Sequence, residues 1–208
     1  MLPSAFRRKD ADIIEQDFTN RFRRKAISRH PNCPPSYDNT GWLFIMQHYR
    51  LPTRLLDWSE SLLVATFFAV NEELDKPGAL WALSPFSLNE DQFGKRCILE
   101  PDGDTLKPLI EHAYKKTSKG SPKIAAISSK EVDSRLMVQL SVFTIHGTQK
   151  PLETFDNHEK FLLKFEIPSE SKKQLQQMLW DLGVRKSNIF PDLENLAKEM
   201  SEGEYNIA

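Results

Sequence analysis

Cysteine is nearly absent from this 208-residue sequence: Cys33 and Cys97 are the only two, far apart and outside any CxxC or Cys/His cluster. That excludes a disulfide framework and a zinc-type structural site, and it fits free thiols in a reducing cytoplasm. No charge-free apolar run reaches the roughly 18 residues that a membrane span requires. No leader with a charged head, an apolar middle and a small-residue cleavage site is present either, so neither spanning nor secretion is expected. A surplus of one charge is also missing, because 28 Lys and Arg stand against 29 Asp and Glu. A net charge of −1 provides no global field for nucleic acid or an anionic membrane. The common catalytic engines are lacking: there is no phosphate-cradling glycine loop, GxSxG elbow, HExxH or paired CxxC. His30, His112, His146 and His158 have no ligand spacing with one another, so no metal is expected.

What is present is a concentrated core signal. The chain is 39% hydrophobic, enough to bury one substantial core, and a single domain is expected. Its densest apolar stretch runs from Gly41 to Val70. Trp42, Ile45, Met46 and Tyr49 recur at helical spacing and predict an amphipathic helix, with Phe44 and His48 on another face. Pro52 ends it, so Leu51 to Leu56 reads as a connecting loop. Asp57 and Glu60 have capping-box spacing and predict a second helix starting near Asp57. Leu62 to Val70 is apolar around nearly its whole circumference, as expected of a central, buried helix.

Elsewhere the patterns are plainer. Ile14, Phe18, Phe22 and Ala26 predict an early helix whose Arg21, Arg23, Arg24 and Lys25 read as a solvated basic face, with a phosphate contact as the alternative. The opening ten residues show no initiating pattern. Ala79 to Leu83, Ile124 to Ile127, Ser141 to Ile145 and Phe161 to Ile167 have strand length and composition. Residues 84–123 read as a loop-rich insertion with one short helix near Leu106 to Tyr114. Leu175, Met178, Leu179 and Leu182 form a helical stripe, with Ser169 and Ser171 as candidate N-caps and Gly183 closing it. Another helix is expected from Pro191 to Met200, before a flexible acidic tail at 201–208. The fold class is therefore α+β, a small antiparallel or mixed sheet packed against several helices with buried central helices.

Charged and titratable groups inside the apolar stretch are the site candidates, because a plain core does not tolerate them unpaired. His48 is either a general acid or base or a hydrogen-bonded structural residue. Arg50, Arg54 and Asp57 flank the proline. Arg54 and Asp57, three apart, read as a charge-assisted pair holding the loop, unless Arg54 is aimed at a phosphate or carboxylate. Trp58 is a core wedge or a base-stacking platform. Arg135 and Gln139 form an i, i+4 pair ahead of a strand, and Gln139 could orient a hydroxyl or a water.

The segment Gln47-His48-Tyr49, then Pro52-Thr53-Arg54-Leu55-Leu56-Asp57-Trp58-Ser59, then Phe67-Phe68-Ala69, resembles the signature of the FRG domain family. Arg135 to Ile145 and Ile189 to Leu196 resemble it too. The resemblance implies a single FRG-like domain over 1–208 and a distant similarity to ADP-ribosyltransferases. Those enzymes use an early aromatic-Arg-Gly strand to grip NAD and a later acid or amide near the scissile bond. On that reading His48 and Gln139 are catalytic, and Tyr49, Thr53, Arg54, Asp57, Trp58 and Arg135 bind substrate around an NAD-type pocket. The family's Phe/Tyr-Arg-Gly string does not occur here, and Leu2-Pro3-Ser4 matches the segment that follows it. The expectation is an N-terminally incomplete domain, an incomplete or degenerate transferase, with an exposed sheet edge that invites self-association or a protein partner. The alternative is a non-catalytic binding or regulatory module, in a bacterial stress or phage-defence setting, whose signature loop is structural.

Overall fold

The computed structural model describes residues 1–7, 11–115, 120–129 and 134–202. After a 3-10 turn at Ser4–Arg7 come α1 (Ala11–Ala26), α2 (Asn39–His48), β1 (Leu55–Ser59), α3 (Leu62–Val70), β2 (Gly78–Leu83), α4 (Pro85–Phe93) and α5 (Lys107–Glu111). Then follow β3 (Ile124–Ile127), α6 (Ser134–Val138), β4 (Ser141–His146), β5 (Leu162–Ile167), α7 (Ser169–Asp181), α8 (Lys186–Ile189) and α9 (Leu193–Glu202). The strands make two small antiparallel sheets, ordered β1-β4-β3 and β2-β5, so the protein is α+β. No described helix is long and apolar enough to cross a membrane. The chain divides into two compact units, Met1–Asp57 with Leu83–Val132 and Val142–Leu162, and Trp58–Ala82 with Asp133–Ser141 and Leu163–Ala208.

In the first unit α2 is buried on every side from Thr40 to Met46, where a one-sided stripe is expected from the sequence. The reason is packing from several directions. Phe44 meets Phe143 of β4 edge-on at 5.1 Å, and α1 and α5 pack against the same helix. Tyr49, expected on the core stripe, lies past the helix end and is 53% exposed. The α1 stripe is only partly apolar: Ala26 is buried and Phe18 and Phe22 are half-buried, but Glu15, Gln16 and Thr19 are buried as well. Arg23 departs from the solvated basic face. Its guanidinium lies 5.6 Å from the Trp42 ring and 5.2 Å from the Tyr114 ring, and it bonds Asn39 Oδ1 and the Ser36 carbonyl. The opening residues, read as patternless, also join the core, with Ala5 and Phe6 buried.

The 84–123 region holds α4 as well as the expected short helix. Pro85 sits in the first turn and Gly94 closes the helix at φ 67°, a conformation that suits a residue without Cβ. This helix packs on β3, all four of whose residues are buried. Its Asn89, wholly buried, faces the outer edge of that strand. The amide donates to the Ala126 carbonyl at 2.8 Å and to the Cys97 carbonyl at 2.7 Å, and its oxygen accepts from the Ala126 amide at 2.8 Å. Leu99 bridges Ile127 in parallel alignment, and Gln92 Oε1 accepts from the Ile124 amide. These bonds satisfy backbone groups that another strand would otherwise take.

In the second unit a cluster of Phe67, Val70, Ile167, Leu179 and Ile189 forms the core, with Leu80, Leu175 and Phe190 packed against it. Of α3 only Val64, Phe67 and Val70 are buried, whereas Leu62, Leu63 and Phe68 are exposed. The uniformly apolar sequence therefore does not describe a helix buried all round. Gly78 allows β2 to pass close to α3: a Cβ there would stand 2.6 Å from the Ala69 carbonyl. The helix α7 begins at Ser169 with Pro168 in the N-cap position and no side-chain cap bond, so neither Ser169 nor Ser171 caps it, and it closes at Gly183, φ 77°, as its sequence predicts. The helix expected from Pro191 to Met200 forms as α9, which begins at Leu193, and the short α8 precedes it; Asp192 secures the start of α9 by accepting from the Asn195 amide at 2.8 Å. Residues 203–208 of the expected tail lie outside the described residues.

Candidate functional site

The signature segment begins where α2 stops. The Arg50 amide donates to the Gln47 carbonyl and the Leu51 amide to the Met46 carbonyl, both at 2.9 Å, with Arg50 left-handed at φ 58°. This is the double bond of a Schellman ending, with arginine where glycine is usual. Holding a residue with a Cβ there costs about 1 kcal/mol or more.

Thr53 and Arg54 then turn inward, each 1% exposed. The Thr53 hydroxyl donates to Gln47 Oε1 and accepts from the Leu55 amide, and its carbonyl accepts from the Ala5 amide. Gln47 Nε2 donates to Asp57 Oδ2 at 2.5 Å, so one glutamine ties both ends of the turn. Gln47 lies in the signature segment, but it is a neutral amide and does not stand out among the charged and titratable site candidates. Spacing alone could not assign it.

Arg54 does not pair with Asp57. Its Nε donates to Glu15 Oε1 at 2.9 Å, its Nη2 to Glu15 Oε2 and its Nη1 to the Leu109 carbonyl at 2.8 Å, with the Phe6 ring 5.6 Å away. Asp57 is exposed, and from Leu55 to Ser59 the expected loop and helix start is strand β1. The capping box does not form either. Ser61 caps α3 by accepting from the Val64 amide at 3.3 Å. The arginine finds a buried bidentate carboxylate on α1, a better partner than a solvated one three residues on, and Asp57 lies inside β1, bonded by Gln47 Nε2, ahead of the Ser61 N-cap.

His146, which has no ligand spacing in the sequence, sits beside this pair. It is wholly buried; its amide donates to the Arg54 carbonyl at 3.0 Å, and Nε2 lies 2.9 Å from Thr144 Oγ1. Burial, with the positive N-terminus and Arg54 nearby, pushes its pKa down to about 3, so the ring is neutral at physiological pH. His48 is half-buried, edge-on to Tyr49 at 4.7 Å. Tyr49 also meets His30 at 6.0 Å.

The other candidates belong to the second unit. Trp58 is half-buried there. Gln139 is buried and its Nε2 donates to the Ile189 carbonyl at 3.0 Å, while the Arg135 guanidinium lies over the Phe190 ring at 4.8 Å. The structure thus gathers Thr53 and Asp57 around Gln47, His48 against Tyr49, and Arg135 with Gln139 around residues 189 and 190. Within the first unit, a recess of about 450 Å³ opens beside the start of α2, lined by Tyr37, Asp38, Asp102, Asp104, Lys107 and Glu111 among others. Four carboxylates against one ammonium make it unfavourable for a phosphate. Among the described residues no group of three or more His, Cys, Asp or Glu side chains could hold a metal ion.

Fold and site together define an α+β protein whose polar signature turn is bonded from within. Residues 1–77 match the family model of the FRG domain. The match ends ahead of Arg135 to Ile145 and Ile189 to Leu196. No curated protein and no solved structure matches the chain.

Proposed function

We propose that this protein is a non-catalytic binding module in which the FRG signature fixes the fold. The observation that carries this reading is the state of Arg54. All three of its guanidinium nitrogens are engaged with Glu15 and the Leu109 carbonyl, at 1% exposure. An NAD-type pocket would aim that guanidinium at a pyrophosphate, and withdrawing it would strand a buried carboxylate. The Gln139 amide nitrogen, the group an ADP-ribosyltransferase-like reading needs near the ribose, is likewise bonded to a backbone carbonyl.

Calorimetric titration of NAD and of ADP-ribose into the wild type and into His48→Gln tests the reading. No saturable heat is expected from either ligand up to about 1 mM. Saturable binding by the wild type that is lost in a stably folded His48→Gln would overturn it and establish a nucleotide pocket.

A further inference from the structure

The sheet of the second unit is unfinished on the side of β5. Among the described residues β2 is the only strand that pairs with it. The Ser84 amide donates to the Phe161 carbonyl at 2.7 Å, and Lys164 Nζ lies over the Trp81 ring, directly across the ladder. That register turns the backbone groups of Leu163, Phe165 and Ile167 toward β2 and leaves those of Leu162, Lys164 and Glu166 pointing out of the free edge. Leu163, Phe165 and Ile167 share one face of the sheet. Ile167 is buried in the core cluster, but Leu163 is 57% and Phe165 52% exposed, so the apolar face runs on beyond its cover.

We propose that β5 pairs with β5 of a second copy of this chain, antiparallel about a two-fold axis at Phe165, to make a four-stranded sheet ordered β2-β5-β5-β2. The register follows from the strand itself. The outward-pointing groups belong to even-numbered residues, so even must meet even. Centring on Phe165 places Lys164 opposite the partner's Glu166 and Glu166 opposite the partner's Lys164, each pair exchanging two backbone hydrogen bonds. Sliding by two residues toward the start sets Lys164 against the partner's Lys164, and sliding toward the end sets Glu166 against the partner's Glu166. Like charges directly opposite disfavour both. In the favoured register Phe165 meets its own copy at a non-hydrogen-bonded position, where side chains approach most closely. Leu163 lies beside the partner's Ile167, so each copy's bare end meets the other's covered end. The interface is isologous, as a two-fold pair requires. Pro168, which has no amide hydrogen, would face the partner's Leu162 and stops the ladder there. The outer edge of β2, whose sequence is Gly-Ala-Leu-Trp-Ala-Leu, carries no charge to choose a register.

The test is sedimentation equilibrium of the full chain over roughly 1 µM to 1 mM, a range suited to a small interface. Wild type is compared with Lys164→Glu, Glu166→Lys and the double swap, each checked for an unchanged fold by circular dichroism. A wild-type dimer is expected, weakened about tenfold or more by either single reversal, since each puts like charges across the seam twice. The double swap should recover it. Lys164→Pro should also dissociate the dimer while leaving the fold intact, because it removes an outward N–H that β2 does not use. A monomer throughout the range, a dimer indifferent to both single reversals, or association without defined stoichiometry would each overturn the proposal.

Discussion

The two sheets of this protein end in opposite ways. The outer edge of β3 is closed by polar groups of its own chain, with Asn89 imitating a neighbouring strand and Leu99 and Gln92 taking the remaining bonds. The free edge of β5 has no such cover among the described strands, and apolar side chains stand beside it. The same contrast runs through the units. The first buries Arg54, Glu15, Asn89 and His146 and, among the described residues, exposes few large apolar side chains, Ile27, Tyr37, Tyr49 and Phe86; the second also buries Lys172 and Gln139 but leaves Leu62, Phe68, Leu163, Phe165, Leu182 and Leu193, among others, in solvent. A buried polar group is tolerated only when bonded, so the first unit is specified by particular partners and is intolerant of their loss. Exposed apolar area is what an association surface is made of.

The sharpest way to break the contrast is to open the Arg54 pair. Glu15→Ala leaves a guanidinium uncompensated in the interior, and urea melts should show a loss of about 3 to 5 kcal/mol. Replacing both residues by leucine should cost less than either single change, since no charge is then stranded.

Protonation acts on the same interior. The folded pKa of His146 is about 3 and lies below the ordinary value of 6.5. The unfolded chain therefore binds the extra proton first as pH falls. The stabilising contribution is complete above the unfolded value and is lost between pH 6.5 and about 3, at a slope approaching 1.4 kcal/mol per pH unit. His146→Gln should flatten the stability profile between about pH 6.5 and 5, above the range in which ordinary carboxylates titrate.

At the closed edge itself, Asn89→Ala leaves the Ala126 amide without its acceptor, and a loss of about 1 to 3 kcal/mol is expected by chemical denaturation. Arg50→Gly should go the other way. Relieving the left-handed arginine is expected to stabilise the protein by up to about 1 kcal/mol, visible as a raised Tm. The smallest effect belongs to the open surface: Leu193, 83% exposed, should tolerate serine within about 0.5 kcal/mol. A large loss there would show that the exposed residues of α9 support the fold and would dissolve the contrast.

The sequence exposes much of the skeleton because period and punctuation are local. Residues 124–127, 141–146 and 162–167 have strand composition, α3 keeps its helical run, and Gly183 marks the end of α7. What it conceals depends on distance in space. Arg54 has a carboxylate three residues away and chooses another 39 residues upstream, which no spacing rule could indicate. Asn89 sits in a stretch that reads as polar loop, although Ser84-Pro85 and Gly94 bracket a helix there. α3 reads as fully buried because apolar composition reports affinity for an interior and not whether one is available on every side. Of the site candidates, the turn from Gln47 to Asp57 could be located by its charged residues in an apolar run. Their partners could not, since Glu15 and Leu109 lie on other elements.

Those partners also set an order of events during synthesis. The Arg54 guanidinium reaches back 39 residues to Glu15 and forward 55 to Leu109. A nascent chain that has just emitted its signature turn holds Arg54 and Glu15 as two hydrated ions, and desolvating them without their third partner is unfavourable. The final locking of the turn must therefore wait until Leu109 has left the ribosome, well past the end of the segment that the family model covers.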